Sequence, residues 1–262
     1  MYRARTADGI AWITGASSGI GRGVALELAK RGYDVALTAR REGALQSLAR
    51  DTEAIGRRAF VHAGDVTDRA AMAGIVEDIE AQHGAIALAF LNAGGNFRDP
   101  PGDFMGQNFY RTLDLNLYGV TNAFAPVARA MQARGRGQIA VCASVAGYGG
   151  LPGAAAYCAA KSALIAMCEA LHVDLGLQGI TVQAVCPGYV KTPLTDANDY
   201  AMPFLLELDD AVQRICNGFE RKGFEIAFPK RMEFLLKALN MLPRSAYLAI
   251  MRRAGMRKPK AK

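Results

Sequence analysis

The stretch that decides the fold is "AWITGASSGIGRG", residues 11–23, where an apolar run passes through a glycine-rich loop into a helical pattern. Residues 15–19 fit the Gly-x-Ser-x-Gly elbow on which hydrolases mount a nucleophilic serine. With Gly15, Gly19 and Gly21, the same loop would also let the phosphates of a dinucleotide approach the backbone. These two interpretations predict different chemistry, so other parts of the chain must separate them.

Composition narrows the class of protein. The chain has 262 residues, of which 51% are hydrophobic, enough to bury the core of one α/β domain. Five cysteines without a Cys-x-x-Cys pair predict buried thiols in a reducing compartment, with neither disulfides nor structural zinc. The first apolar run is too short for a signal peptide, and no run of 18 apolar residues predicts a spanning helix. We therefore expect a cytoplasmic protein.

Short apolar strands alternate with longer helical patterns along most of the chain. The strand patterns read IAWIT, DVALTA, RAFVHA, ALAFLN, QIAVCA and ITVQAV, and a seventh, FEIAF, occupies residues 224–228. Between them, apolar residues recur at helical spacing, and several of these segments end at glycine. Such β-α-β units predict a Rossmann-like, doubly wound parallel sheet of about seven strands with helices on both faces. Ligands of these sheets bind beyond the carboxyl ends of the strands.

The histidines separate the two interpretations of the glycine loop. A hydrolase elbow needs an acid and then a histidine, on a loop where the histidine can act as a base. His62 lies in a strand pattern, His83 closes a helical pattern and His172 lies within another, which disfavours the hydrolase. The spacing Gly-x-x-x-Gly-x-Gly also departs from the standard dinucleotide motif, and alone it is a weak signal because such turns often serve tight packing.

More polar residues stand near the predicted carboxyl ends of the same strands. Tyr157 and Lys161 are four positions apart, on one face of a predicted helix. Ser144 ends the fifth strand pattern, and Asn116 lies in the middle of a helical pattern. Taken alone, Asn116 also fits a buried helix asparagine that bonds to the backbone.

Together these residues resemble the short-chain dehydrogenase/reductase family, over roughly residues 8–228. Each motif is weak alone, but they stand in the family's order and at its usual distances. The residues that carry the resemblance are Thr14, Gly15, Gly19 and Gly21; Asp65 and Val66; Asn92, Ala93 and Gly94; Asn116, Ser144, Tyr157 and Lys161; and Pro187, Gly188, Val190 and Thr192. The resemblance favours a nucleotide loop, with Ser17 and Ser18 as hydrogen-bonding groups on the phosphate side and Ile20 as a further cofactor contact.

The resemblance implies hydride transfer between a nicotinamide and a carbonyl or secondary alcohol, without a metal. Reducing a ketone puts negative charge on its oxygen, so a donor must hold that oxygen and an acid must protonate it. Ser144 is expected to hold the oxygen and Tyr157 to protonate it. The Lys161 cation favours the phenolate form of a nearby tyrosine. By the resemblance, Lys161 also holds the nicotinamide ribose and Asn116 supports a water path for the proton.

The loop after the second strand predicts the choice of nicotinamide. An acidic residue there would bond the adenosine ribose and favour NAD(H). The loop instead reads LTARREG, and the guanidinium groups of Arg40 and Arg41 suit a 2′-phosphate, so NADP(H) is favoured over NAD(H). Alternatively, one or both arginines only begin the next helix as solvated residues, which fits Arg41 better. By the resemblance, Asp65 and Val66 contact the adenine, whereas Asp68 is expected to cap a helix.

Two loops are expected to overhang the nicotinamide, VAGYGGLPGAAA after Ser144 and LTDANDYAMPFLLE after Thr192. The second forms a substrate loop near residues 193–207. Its apolar residues 202–205 either line a pocket beneath a lid or belong to the core of the following helix. A lipophilic carbonyl or alcohol fits these loops better than a sugar, and we expect a homodimer or homotetramer.

A basic extension, residues 229–262, follows the predicted catalytic domain, residues 1–228. Residues 221–262 hold 12 Lys or Arg and two acidic residues, a charge of +10, whereas the rest of the chain carries −3. The extension predicts two amphipathic helices separated by Pro243. They either lie at an anionic membrane surface or dock on the domain or on a second subunit. The residues that would dock are Phe234, Leu235, Leu239, Leu242, Tyr247 and Leu248.

Two functions remain open from the sequence. The first is an NADP(H)-dependent oxidoreductase acting on a lipophilic carbonyl or secondary alcohol, with Tyr157 as acid and base. The second is a nucleotide-binding scaffold that the basic tail recruits to membranes without significant turnover. Ser144, Tyr157, Lys161 and Asn116 together favour the enzyme, because a binding module needs no such set. The tail lacks interleaved aromatic stacking platforms, so we expect no nucleic-acid partner.

Overall fold

Seven short strands form the centre of the computed structural model, which describes residues 2–97, 105–196, 198 and 201–255. They are β1 (Ile10–Thr14), β2 (Val35–Ala39), β3 (Ala59–Ala63), β4 (Ile86–Leu91), β5 (Gly137–Cys142), β6 (Ile180–Pro187) and β7 (Glu225–Phe228). They make one parallel sheet in the order β3-β2-β1-β4-β5-β6-β7. The predicted strands and the doubly wound sheet are therefore confirmed.

Helices follow the strands and cover both faces of the sheet. They are α1 (Gly19–Lys30), α2 (Glu42–Ala54), α3 (Arg69–Gln82), α4 (Gln107–Leu113), α5 (Gly119–Arg134), α6 (Ala155–Gly176), α7 (Pro193–Asp196), α8 (Leu208–Phe219), α9 (Lys230–Asn240) and α10 (Arg244–Gly255). Asp68 caps α3 as predicted, because its carboxylate accepts the N–H groups of Ala70 and Ala71. Among the described residues, no helix combines the length and the apolar character needed to span a bilayer.

The sheet has an apolar cluster on each face because successive side chains of a strand point to opposite sides. On β1, Trp12 packs into one cluster and Ile13 into the other. β1 is buried along its whole length, as expected for a central parallel strand covered by helices on both faces. All five cysteines are free and buried in this core, so the prediction of buried thiols is correct.

The strand order turns back between β1 and β4. The chain builds outward from β1 through β2 to β3 and then returns to place β4 on the other side of β1. In open sheets of this kind, the crevice at the carboxyl ends of the strands beside such a reversal is where ligands bind. Thr14 closes the base of this crevice, because its Oγ1 accepts the N–H groups of Asn92 at 3.0 Å and Ala93 at 3.2 Å.

A buried hydrogen bond within the core gives the first testable prediction. The indole N–H of Trp12 donates to Oγ1 of Thr38 on β2 at 2.9 Å, and both residues are fully buried. Thr38→Ala leaves this donor without its acceptor, so the free energy of unfolding should fall by about 1–3 kcal/mol. Trp12 is the only tryptophan of the chain, and its fluorescence can follow unfolding in urea.

Thr6→Ala is the matched control, because Thr6 is exposed. It should change the free energy of unfolding by no more than about 0.5 kcal/mol. If Thr38→Ala and Thr6→Ala unfold at the same urea concentration, the buried hydrogen bond does not contribute as argued.

Candidate active site

The glycine loop between β1 and α1 lies over the carboxyl edge of the sheet. Gly15 and Gly19 have φ values of 66° and 54°, in the left-handed region that other residues rarely adopt. A Cβ at Gly21 would lie 2.4 Å from the carbonyl oxygen of Gly15 and 2.6 Å from Nδ2 of Asn92. Glycine is therefore required at positions 15 and 19 by the backbone conformation, and at position 21 by the close approach of neighbouring atoms.

The amino end of α1 is suited to an anion. Ser18 is its N-cap residue, and its side chain makes no capping hydrogen bond. The first N–H groups of the helix therefore lack a side-chain acceptor, and the helix dipole favours negative charge there. Ser17 and Ile20 flank this helix end, where Ile20 packs partly into the core. The cradle fits the pyrophosphate of a dinucleotide.

The two arginines after β2 stand beside the glycine loop. Nη2 of Arg41 donates to Oγ of Ser17 at 3.1 Å. Nη1 of Arg40 lies 3.8 Å from a carboxylate oxygen of Asp65, in an exposed ion pair. The interpretation of Arg41 as a merely solvated helix start is therefore incomplete: its side chain is exposed, but it reaches across to the loop that would hold the phosphates.

A cleft of about 480 Å³ opens next to Arg40 and Asp65. Its remaining lining residues are Thr67, Phe97, Arg111, Asp114, Leu115 and Tyr118. Of the two predicted adenine contacts, Asp65 lines the cleft, whereas Val66 is buried and lies against Gly119, where an added Cβ would be 2.7 Å from its methyl. No sequence motif marked Phe97 or Arg111, whose guanidinium lies 3.8 Å from the Phe97 ring centroid.

Tyr157 and Lys161 occupy successive turns of α6. Nζ of Lys161 lies 5.5 Å from the centroid of the Tyr157 ring and donates to the carbonyl of Cys142, at the end of β5, at 2.8 Å. Lys161 is only 3% exposed. Burial lowers its pKa below the ordinary lysine value, because desolvation disfavours the ammonium form. The carbonyl of Cys142 is therefore a needed partner for this cation.

Ser144 joins the ends of two strands. It follows β5, and its hydroxyl donates to the carbonyl of Pro187, at the end of β6, at 3.3 Å. The same oxygen accepts the N–H of Ala146 at 3.1 Å, which caps the short 3₁₀ turn Val145–Tyr148. The predicted position at a strand end is confirmed to within two residues. The bond to β6 fixes the orientation of the hydroxyl.

Asn116 lies in a π-helical turn, Asp114–Tyr118, between α4 and α5. Such turns occur frequently at functional sites. The fully buried amide donates to the carbonyls of Gly95 at 2.6 Å and Thr112 at 2.8 Å, and its oxygen accepts the N–H of Gly95 at 3.3 Å. Asn116 thus bonds to the backbone, as the alternative interpretation predicted. This bonding is compatible with a role of Asn116 in the site.

The backbone after β4 passes between Asn116 and Lys161. A Cβ added at Gly94 would lie 2.9 Å from Oδ1 of Asn116 and 3.6 Å from Nζ of Lys161. The motif Asn92-Ala93-Gly94 therefore runs from Thr14 on β1 to the tyrosine and lysine side of the crevice. A side chain at Gly94 would separate the two polar groups.

The segment after β6 closes the other side of the glycine loop. The N–H of Gly188 donates to the carbonyl of Phe228 on β7 at 2.7 Å, and Val190 forms a single parallel bridge with Leu206. The methyl of Thr192 would lie 3.4 Å from a Cβ at Gly19. The motif predicted from Pro187 to Thr192 is thus placed against the loop that begins α1.

The segment predicted as a substrate loop has an exposed apolar end. Met202 is half-buried, whereas Pro203, Phe204 and Leu205 are exposed, so their assignment to the core of the following helix is wrong. Among the described residues, Phe204 is the only non-glycine residue with a positive φ, 58°. Residues 197, 199 and 200 of the predicted loop lie outside the described residues.

The C-terminal helices dock on the domain, which is one of the two predicted alternatives, and they contact the loop after Ser144, which the sequence did not predict. The hydroxyl of Tyr148 donates to Glu225 at 2.6 Å, and Lys237 of α9 forms an ion pair with the other oxygen of that carboxylate. Burial and this carboxylate raise the pKa of Tyr148 well above its usual range. On α10, the hydroxyl of Tyr247 donates to the carbonyl of Gly150 at 2.7 Å.

The histidines lie away from the glycine loop. The rings of His62 and His83 contact each other at a centroid distance of 5.3 Å, and His172 of α6 bonds to the carbonyl of Val182. The structure thus gives Ser17 no histidine base. Within the described part of the chain, no cluster of three or more His, Cys, Asp or Glu is placed to hold a metal ion.

Comparisons with known proteins agree with this geometry. Residues 9–202 match the model of the short chain dehydrogenase family. An uncharacterized oxidoreductase of Myxococcus xanthus is 35% identical over 243 residues, which is 93% of this chain and 96% of that protein. The chain therefore belongs to the short-chain dehydrogenase/reductase family and is an NAD(P)-dependent oxidoreductase.

Two solved structures show the same fold. A 3-ketoacyl-ACP reductase of Sinorhizobium meliloti superposes with a TM-score of 0.76 and 28% identity, over 86% of this chain and 99% of that one. A variant of actinorhodin polyketide ketoreductase, crystallised with NADPH, superposes with a TM-score of 0.76 and 26% identity, over 86% and 96% of the two chains. Both are described as reductases of keto groups.

The crowding at Gly21 gives a prediction for cofactor binding. Gly21→Ala should push the Gly15 carbonyl or the Asn92 amide out of place, and overpacking of this kind costs about 1–3 kcal/mol. The affinity for the nicotinamide dinucleotide should fall about tenfold or more, as measured by fluorescence titration. Gly43→Ala is the matched control, because a Cβ there meets no atom within 4 Å. Equal affinities for the two variants would contradict this account of the loop.

Proposed function

We propose that this protein transfers a hydride between NADP(H) and a lipophilic carbonyl or secondary alcohol, with Tyr157 as the acid and base. The observation that supports this most directly is the arrangement at the carboxyl edge of the sheet. Lys161 and Ser144 bond to carbonyls at the ends of β5 and β6, Asn116 bonds to the loop after β4, and the Tyr157 ring lies 5.5 Å from Nζ of Lys161. A nucleotide-binding scaffold needs no acid beside a buried cation, so we favour an enzyme.

The proposed reduction needs a proton and a place for the developing charge. When bound, the nicotinamide supplies the hydride. Ser144 turns its hydroxyl from the carbonyl of Pro187 to the substrate oxygen, and Tyr157 gives that oxygen its phenolic proton. The ammonium of Lys161 stabilises the phenolate that remains. Asn116 supports the water path through which Tyr157 regains its proton, and oxidation runs these steps in reverse.

The residues proposed to hold the cofactor line the crevice from α1 to β6. They are Gly15, Ser17, Ser18, Gly19, Ile20 and Gly21; Arg40 and Arg41; Asp65 and Val66; Asn92, Ala93 and Gly94; Tyr157 and Lys161; and Pro187, Gly188, Val190 and Thr192. We expect NADP(H) to be preferred because Arg41 contacts Ser17 of the glycine loop and Arg40, the preceding residue, makes only a long, exposed ion pair with Asp65. A 2′-phosphate would offer Arg41 a charge-assisted partner in place of a neutral hydroxyl, and would offer Arg40 a second anionic partner.

The proposed substrate is lipophilic because apolar side chains remain exposed around the substrate loop. Leu194 of α7, Phe204 and Leu205 each keep more than 40% of their surface in solvent. Burying these side chains against a lipophilic substrate would be favourable. A sugar would gain less, because apolar side chains offer its hydroxyl groups no hydrogen-bond partners. The two solved neighbours, named for keto groups on acyl and polyketide chains, support this substrate class.

The proposed assembly is a homodimer or homotetramer in the cytoplasm. Five free, buried thiols fit a reducing compartment. Tyr110, Tyr118 and Val173 expose large apolar side chains that contact between subunits would cover. Sedimentation velocity measures the assembly directly.

Replacing the acid tests the mechanism. Tyr157→Phe keeps the ring and removes only the hydroxyl, so turnover should fall about 10²- to 10⁴-fold while NADPH binding is retained. Turnover is followed at 340 nm with a panel of lipophilic ketones. Tyr110→Phe, on an exposed tyrosine, is the control and should leave turnover unchanged. A Tyr157→Phe enzyme that turns over normally would rule out this mechanism.

Reversing the charge of the arginines tests the cofactor preference. Arg40→Asp should weaken NADPH binding about 10- to 100-fold, because a charge-assisted bond worth about 1.5–3 kcal/mol becomes a repulsion, and NADH binding should stay the same or improve. Arg41→Asp should act in the same direction. Arg50→Asp, at an exposed arginine of α2, is the control. If neither Arg40→Asp nor Arg41→Asp changes the affinity for NADPH, the loop after β2 does not select the cofactor.

A further inference from the structure

The two C-terminal helices dock on the domain through one side only. Met232 of α9, together with Tyr247 and Met251 of α10, is buried. Tyr247 also bonds to Gly150, so this docked side carries specific contacts and holds the two helices in place. Leu236 packs against the core and Leu239 is half-buried, so docking also covers part of these two side chains. Docking does not account for the apolar residues of the tail that stay exposed.

The opposite side of the helices is apolar and exposed. On α9 and just beyond it, Phe234, Leu235, Met241 and Leu242 recur at the spacing of one helical face, and Phe234 and Met241 are 77% and 87% exposed. Leu248 of α10 is exposed as well. We call these five residues the tail face. Of the six residues that the sequence offered for docking, the structure buries only Tyr247.

The tail that carries this face is strongly basic in sequence. Residues 229–262 contain ten Lys or Arg and one acidic residue, Glu233. Glu233 already pairs with Lys230 and Lys237. Within the described part of the chain, Arg231, Arg252 and Arg253 form no ion pair, so their charge is available to a partner.

A second copy of the same tail is a poor occupant for this face. Symmetric contact would bring two groups of unpaired arginines together, with no carboxylate between them. An anionic bilayer satisfies both features at once, because acyl chains bury the apolar side chains while lipid phosphates and carboxylates meet the cations. Lys and Arg stems can extend toward the headgroups from the edge of such a face.

We propose that the tail face binds the surface of an anionic membrane. Phe234, Leu235, Met241, Leu242 and Leu248 enter the interface, and the flanking arginines contact the headgroups. The docked side stays on the domain, so membrane binding leaves the contacts with the loop at Gly150 intact. This binding is independent of catalysis, and its test requires neither cofactor nor substrate.

The test uses the full chain and co-sedimentation with lipid vesicles. Vesicles of phosphatidylcholine with phosphatidylserine should bind the protein, and vesicles of phosphatidylcholine alone should bind at least several-fold less. Raising the ionic strength from low to physiological values should release part of the protein, because it shortens the screening length to about 8 Å. Absence of binding to the anionic vesicles at low salt overturns the proposal.

Matched variants separate the tail face from apolar surface in general. Phe234→Ser combined with Met241→Ser should reduce vesicle binding about tenfold or more. Leu177→Ser is the control, because Leu177 is as exposed as Met241 but lies at the end of α6. Circular dichroism and thermal unfolding establish that each variant is folded. Equal loss in the tail and control variants, or no loss in either, overturns the proposal.

A second pair of variants tests the charge. Arg252→Glu combined with Arg253→Glu should weaken binding to anionic vesicles about tenfold or more, because each cation near such a surface contributes about 1 kcal/mol. Arg214→Glu, on an exposed arginine of α8, should change it little. Sedimentation velocity completes the test. If the tail variants dissociate an oligomer and the wild-type chain ignores vesicles, the face is a subunit contact and the proposal is wrong.

Discussion

The site depends on one hydroxyl, Oγ1 of Thr14, which ties the end of β1 to the backbone that leaves β4. Because β1 and β4 are neighbouring parallel strands that end together, the segments that follow them leave the sheet at the same place. The segment after β1 is the glycine loop, and the segment after β4 contains Asn92. The two segments pack so closely that Gly21 has no space for a Cβ. The requirement for glycine is therefore a consequence of tertiary contact, and the loop sequence alone does not explain it.

From this point the groups of the site are connected through backbone atoms. Gly95 holds both ends of the Asn116 amide, and the carbonyl of Cys142 receives the Lys161 ammonium. The carbonyl of Pro187 holds the Ser144 hydroxyl. These partners are main-chain atoms of two strand ends and of the loop that follows β4, so the backbone fixes the positions of the polar groups. Preorganised groups of this kind need little rearrangement when charge develops on a substrate.

Local patterns predicted the features that depend on local order. The predicted first strand has the observed bounds of β1, and the four-residue spacing of Tyr157 and Lys161 places both on one face of α6. They failed where the partner lies far away in the chain. Nothing near Tyr148 in the sequence indicates that Glu225 accepts a hydrogen bond from its hydroxyl. The apolar residues on both sides of α9 also look alike in the sequence until the docked side is known.

The central claim is that the groups around Tyr157 support hydride transfer from NADPH to a carbonyl, and deuterium transfer measures it most directly. The protein is incubated with NADPH carrying deuterium at the transferable position of the nicotinamide C4 and with a panel of lipophilic ketones, and the products are examined by mass spectrometry. The account predicts an alcohol that carries one deuterium on its carbinol carbon. If NADPH binds tightly but no ketone of the panel receives deuterium, the claim of hydride transfer from NADPH to a lipophilic carbonyl is wrong.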